Sequence, residues 1–145
     1  MSLDVAQLLT MSQDQLDELF RNSPAGTIPA GEGKGTVLID PGSALSETAA
    51  KFVHLLAWQG KVFDPQSGEL RNEVLPFGLK AVIAKVYKGV SWFDGNECII
   101  LDYSETSLVA HWIRDEIRLV DRALYLGIVF WDKAKLINFA LDFTS

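Results

Sequence analysis

The spacing of apolar and polar positions changes part-way along the chain. In SQDQLDELFR (12–21), Leu16, Leu19 and Phe20 fall on one helical face, Ser12 and Gln15 have capping-box spacing, and NSP at 22–24 stops the run. A second helix is predicted at about residues 46–59, SETAAKFVHLLAWQ. There Ala49, Phe52, Val53 and Leu56 recur at helical spacing, and Gly60 can supply a left-handed terminal residue. Beyond Gly60 the period becomes two. LKAVIAKVYKG (79–89), NECIILDYS (96–104), IRDEIRLV (113–120), LYLGIVFW (124–131) and KLINFALDFT (135–144) are short, β-branched or aromatic, and mostly alternating. In the last of these, Ile137, Phe139, Leu141 and Phe143 share one face, while Asn138 and Asp142 share the other with Ala140. In 124–131 both alternating sets are apolar, as expected of a central strand covered on two sides or of one whose inner face lines a cavity.

GTVLID (35–40), KVFD (61–64) and GELRNEVL (68–75) bring the expectation to about eight strands. The connections between them are too short to carry helices between parallel neighbours, so the sheet is expected to be antiparallel. A sheet of that size removes its edges by closing, which predicts a mainly β, antiparallel barrel with one or two helices in the N-terminal half. The organisation expected is a single domain over 1–145: a helical segment at 1–22, then a barrel over 26–143 that includes the helix near 46–59.

The composition fits that picture. The 145 residues are 48% apolar and 22% charged, as in an ordinary globular domain. No apolar run approaches a membrane span. The N-terminal stretch MSLDVAQLLTMSQDQ has no basic region and carries Asp4, and the lone Cys98 fits a reducing compartment, so a cytoplasmic protein is expected. The net charge is -6, with cations scattered singly or beside carboxylates. That argues against nucleic acid, whose binders cluster Lys and Arg to displace counterions.

GTIPAGEGKGTVLI (26–39) invites a phosphate-loop reading, but its glycines lead into a strand where a dinucleotide fingerprint needs a helix, and no Gly-Lys-Ser/Thr follows. These glycines are read as bending a strand or letting it pass close to another backbone. The run from Gly26 through LLAWQGKVFD (55–64) places a Gly-rich strand, a helix and a turn bearing Trp58, Gly60, Lys61 and Phe63 in order. It resembles the N-terminal segment of bacterial GXWXG-type domains, and LVAHWIRDEIRLVDRALYLGIVFWDK (108–133) resembles their C-terminal partner. Such proteins are similar to calycins, the lipocalin-like small barrels. The resemblance implies a fold and a ligand cavity, and it implies no catalytic residue.

Candidate chemistry concentrates in the second half. In 96–103, Asp102 points with Cys98 and Ile100 while Tyr103 points with Ile99 and Leu101. Asp102 is either a strand-end group meeting solvent or a carboxylate facing a cavity. In RDEIR (114–118), Arg114, Glu116 and Arg118 share one face and Asp115 and Ile117 the other. The arginine face is either solvated, with cross-strand ion pairs, or turned to the lumen, where a guanidinium fork can pair with a ligand carboxylate. His54 and His111 lack the spacing of a metal site, no Ser motif supports nucleophilic catalysis, and Cys98 reads as a buried small hydrophobe. SWFDG (91–95) reads as a hairpin turn, and Gly127 as a barrel bend or a spot where a ligand approaches the backbone.

The expected function is non-catalytic binding of a small apolar or amphipathic molecule, with no cofactor and no metal. Arg114 or Arg118 would anchor its polar end, and Trp92, Tyr103, Tyr125 and Trp131 would contact its body. One alternative is a small barrel enzyme of isomerase or cyclase type using Asp102 and Tyr103 as an acid–base pair. It requires both groups to converge on one pocket. A second is a solid-core structural or interaction protein offering its first helix to a partner, and a homodimer is also compatible with the sequence.

Overall fold

The computed structural model describes residues 3–38, 61–64, 66–72, 82–103 and 113–144. The fold is mainly β with two short helices, α1 (Val5–Leu9) and α2 (Gln13–Arg21). The strands are β1 (Gly31–Leu38), β2 (Lys61–Asp64), β3 (Glu69–Asn72), β4 (Val82–Val90), β5 (Glu97–Asp102), β6 (Ile113–Asp121), β7 (Leu124–Trp131) and β8 (Ala134–Asp142). Each pairs antiparallel with the next in the chain. The ring of pairings closes at β1, where Gly31 to Gly33 face β2 and Lys34 to Leu38 face β8. The predicted helix at 46–59, with His54 and Trp58, lies outside the described residues, as do His111 and Trp112.

Both helices begin with reciprocal capping: Ser12 and Gln15 cap α2 as the spacing predicts, and Asp4 and Gln7 do the same for α1. β1 begins four residues earlier than its apolar run, so the glycine stretch is part of the strand itself.

Alternation gives the sheet two apolar layers. On the inward side, Phe63, Ala84, Val86, Ile99, Leu101, Ile113, Ile117, Tyr125, Val129, Ile137, Phe139 and Leu141 converge from six strands into one buried cluster. On the outward side, Leu124, Leu126, Ile128 and Phe130 of β7 meet Leu8, Leu16 and Phe20 of the helices. β7 is therefore buried on both faces because helices cover the outside of the ring while the other strands fill the inside. Polar groups caught under the helices are paired: Asn138 donates to the Gly127 carbonyl (3.1 Å) and accepts from Gln13 (2.7 Å).

The two ends of the ring differ. At one end the connections are short: the turn at 66–68, the hairpin at 91–96, and the turn between β6 and β7. The segment before β1 also crosses here, with Ala25 and Ile28 packed into the inward cluster. The Leu119 amide donates to the Pro24 carbonyl (3.0 Å), and the Tyr125 hydroxyl to the Thr27 carbonyl (2.6 Å). At the far end, the chain leaves β1, β3 and β5 and returns at β2, β4 and β6 through residues 39–60, 73–81 and 103–112. Among the described residues, the tight turn between β7 and β8 joins two strands at that end.

Candidate functional site

The inward space is divided by aromatic rings. Gly127 on β7 lies directly across from Phe139 on β8. A Cβ at Gly127 would meet Cζ and both Cε carbons of that ring, the farthest of the three at 2.7 Å. The group that approaches Gly127 is thus the chain's own Phe139, lying over a glycine on the neighbouring strand. The arrangement recurs at Gly33, where a Cβ would sit 2.5 Å from Cζ of Phe143. Phe143 in turn meets Phe63 and Tyr125 edge-to-face, each at a centroid distance of 5.6 Å. These rings fill the half of the interior next to the short turns.

Toward the far end the inward layer contains Tyr103, Ile113, Asp115, Val129, Trp131 and Ile137. Asp115 is 1% exposed and stands opposite Leu101 and Val129, both apolar. The Tyr103 hydroxyl donates to Asp115 Oδ2 at 3.4 Å. A carboxylate in such surroundings is costly unless polar groups receive it, so a tyrosine reaching over it from the next inward position is a built arrangement.

Of the six ligand contacts expected from sequence, the structure brings Tyr103, Tyr125 and Trp131 to the inward side and places Trp92, Arg114 and Arg118 on the other. The six do not form one site. Arg118, 1% exposed, lies beneath α2: its guanidinium grips both Asp94 oxygens (2.6 and 2.7 Å), donates to the Phe20 and Glu97 carbonyls, and stacks over the Phe20 ring at 4.4 Å. Arg114 donates to Glu116 (2.9 and 3.2 Å) and to the Val90 carbonyl (2.6 Å), with its guanidinium 4.2 Å above the Trp92 ring. The fully buried Glu116 also accepts from the Ser91 hydroxyl (2.5 Å) and the Trp92 amide (2.7 Å). This layer is neither a solvated face nor a lumen. It binds the 91–96 hairpin and α2 to the outside of β6.

Electrostatics follow the geometry. The Arg118 hydrogen bonds hold the Asp94 carboxyl well below its usual range, at about 2, against the opposing effect of burial. Burial and the nearby Glu116 charge push the Cys98 thiol up to about 12, as suits the buried hydrophobe read from sequence. Asp102 and Tyr103 diverge: Asp102 is partly exposed and accepts from the Tyr87 hydroxyl (2.7 Å), while Tyr103 points inward. The β5–β6 register runs through Asp102 without a shift, so no bulge turns the two side chains onto one pocket and the Asp102–Tyr103 acid–base pair does not assemble. Burial and the hydrogen bond to Asp102 together raise the Tyr87 phenol to about 12.

The polar inward residue missed in sequence is Asp115. Its signal was the flanking Ile113 and Ile117, which make its face of RDEIR the apolar one. Among the described residues no group of three or more His, Cys, Asp or Glu side chains could hold a metal ion, and no helix is long and apolar enough to cross a membrane. The outer side of α2, with Met11, Asp14, Gln15, Glu18, Leu19 and Asn22, borders an open groove of about 580 Å³.

Comparison with protein-family models and with curated proteins finds no match. A solved structure described as the crystal structure of a protein from Thermomonospora curvata is similar over 91% of this chain and 87% of that one, with a TM-score of 0.63 at 14% identity. At that identity the likeness is one of fold.

Proposed function

We propose that the ring is a lipocalin-like barrel that binds a small apolar or amphipathic molecule, without catalysis, in the half of its interior near Tyr103, Asp115 and Trp131. The observation that carries this reading is the Tyr103–Asp115 pair set among apolar side chains on the inward face. Small-molecule sites combine an apolar lining with a few orienting polar groups, and this pair supplies such groups on the inward face. The test is thermal-shift screening of the purified protein against fatty acids, isoprenoids, aliphatic amines and haem. A saturable rise in melting temperature with one class supports binding; no shift across the set refutes it.

A second reading, a solid-core interaction protein, draws on the packing of Phe139 against Gly127 and Phe143 against Gly33 and on the groove beside α2. It expects no shift with any small molecule and no co-purifying ligand in native mass spectrometry.

A further inference from the structure

We propose that Asp94–Gly95 is a modification site, a place of isoaspartate formation that Arg118 suppresses in the folded protein and whose product unfastens α2. Asp94 is the one Asp or Asn in the 145 residues that a glycine follows. That pair is chemically reactive. The next backbone nitrogen can attack the side-chain carboxyl, and glycine, with no Cβ, leaves the approach open. In the step, the Gly95 nitrogen bonds to Asp94 Cγ, the Cγ–OH bond breaks, and the amide proton leaves with the hydroxyl as water. Water then opens the cyclic imide. Attack at Cγ restores aspartate, whereas attack at the main-chain carbonyl leaves the chain joined through Cγ, with the carboxylate on Cα. The balance needs only water, which Gly95 meets because it is exposed.

The fold denies each requirement of that ring closure. Arg118 grips the two Asp94 oxygens at 2.6 and 2.7 Å, and Oδ1 also accepts from the Asn96 amide at 3.0 Å. These bonds keep the carboxyl ionised, so it lacks the hydroxyl that must depart. The nucleophile is engaged as well: the Gly95 N–H donates to the Ser91 carbonyl at 3.0 Å. Phe93 pins the hairpin, edge-to-face with Phe20 at 5.8 Å and beneath Arg21 at 4.8 Å. Arg118 ties the hairpin to α2, because it also donates to the Glu97 and Phe20 carbonyls. Isomerisation breaks this arrangement. The main chain gains one carbon at position 94 and the carboxylate arm loses one, so Arg118 is left buried without its anion near the end of α2.

A reaction this slow samples the open hairpin at equilibrium, so its rate follows the fraction open. Wild type, Arg118→Gln and the peptide SWFDGNE (91–97) are held at pH 7 for weeks, and isoaspartate at 94 is measured by electron-transfer fragmentation. The folded wild type is expected to form it at least about tenfold more slowly than the peptide, and Arg118→Gln to approach the peptide's rate. A wild type as fast as the peptide, or a folded Arg118→Gln as slow as wild type, overturns the proposal. Should Arg118→Gln not fold, Arg118→Lys decides. It keeps the charge but not the planar fork, so faster isomerisation supports the guard and an unchanged rate overturns it. The isomerised protein, separated by chromatography, should exchange its α2 amide hydrogens faster than the unmodified form, and equal exchange overturns the release of α2.

Discussion

Replacing Gly127 with alanine tests the internal packing directly. The added methyl would lie within 3 Å of three carbons of the Phe139 ring, and the ring must retreat by roughly 1 Å to recover an ordinary carbon–carbon contact of about 3.5 Å. Phe139 is 1% exposed and packed among Ile117, Val129 and Leu141, so it has little room to move. Overpacking of this kind costs about 1–3 kcal/mol, while removing a glycine from the unfolded chain returns about 0.4–1 kcal/mol. The net expectation for Gly127→Ala is a loss of about 1–2 kcal/mol, read from the urea midpoint at unchanged slope. Phe139→Ala alone should cost about 3–5 kcal/mol through the cavity it leaves. In the double variant the new methyl enters vacated space, so Gly127→Ala should there cost nothing or stabilise, giving a coupling of about 1–3 kcal/mol. Equal costs for Gly127→Ala in both backgrounds, or no cost in the wild type, would refute the claim that the ring occupies the glycine's missing side chain.

Three further outcomes are expected. The folded-state carboxyl of Asp94 titrates at about 2 against an ordinary 3.8, so its contribution is complete above pH 3.8 and is lost as the pH falls toward 2. Asp94→Asn should lower stability by about 3 kcal/mol at pH 7, because Arg118 stays buried without its anion, and the gap to wild type should close in acid; a gap independent of pH counts against the pair. Ser12→Ala removes the side-chain acceptor for the Gln15 amide and should cost about 1 kcal/mol in chemical denaturation; Ser12→Asp should restore most of it. Cys98, fully buried with its thiol raised to about 12, should be silent to a disulfide reagent in the native protein and react at the rate of unfolding, and immediate labelling of the folded state would contradict its placement.

The eight extended segments were legible because period-two alternation is a local signal. For β7 the two apolar alternating sets pointed either to cover on both sides or to an inner face lining a cavity, and its outward set packs under the helices. The helix at 13–21 announced itself through its cap and its Leu16–Phe20 stripe. α1 was missed: five residues carry too little periodicity, although Asp4 and Gln7 repeat the Ser12–Gln15 spacing. What alternation alone left open was which face of β6 looks inward. Arginines beside carboxylates read equally as a solvated surface or a lumen. The third possibility, a polar layer sealed under helices and a hairpin, depends on Phe20 and Asp94 arriving from elsewhere in the chain. The same non-local dependence concealed the Tyr103–Asp115 contact, since two strands must come into register before an aspartate between isoleucines acquires its partner.

The closure of the ring at β1 governs the order in which the chain can mature. β1 finds its main partner in β8, and α1 and α2 rest on β7 and β8, so that pairing and the helix docking wait for the final hairpin, whereas β2 to β6 can pair with their sequence neighbours as they are made. Such distant pairings slow folding. During translation the greasy sides of both N-terminal helices therefore stay uncovered until β7 and β8 emerge.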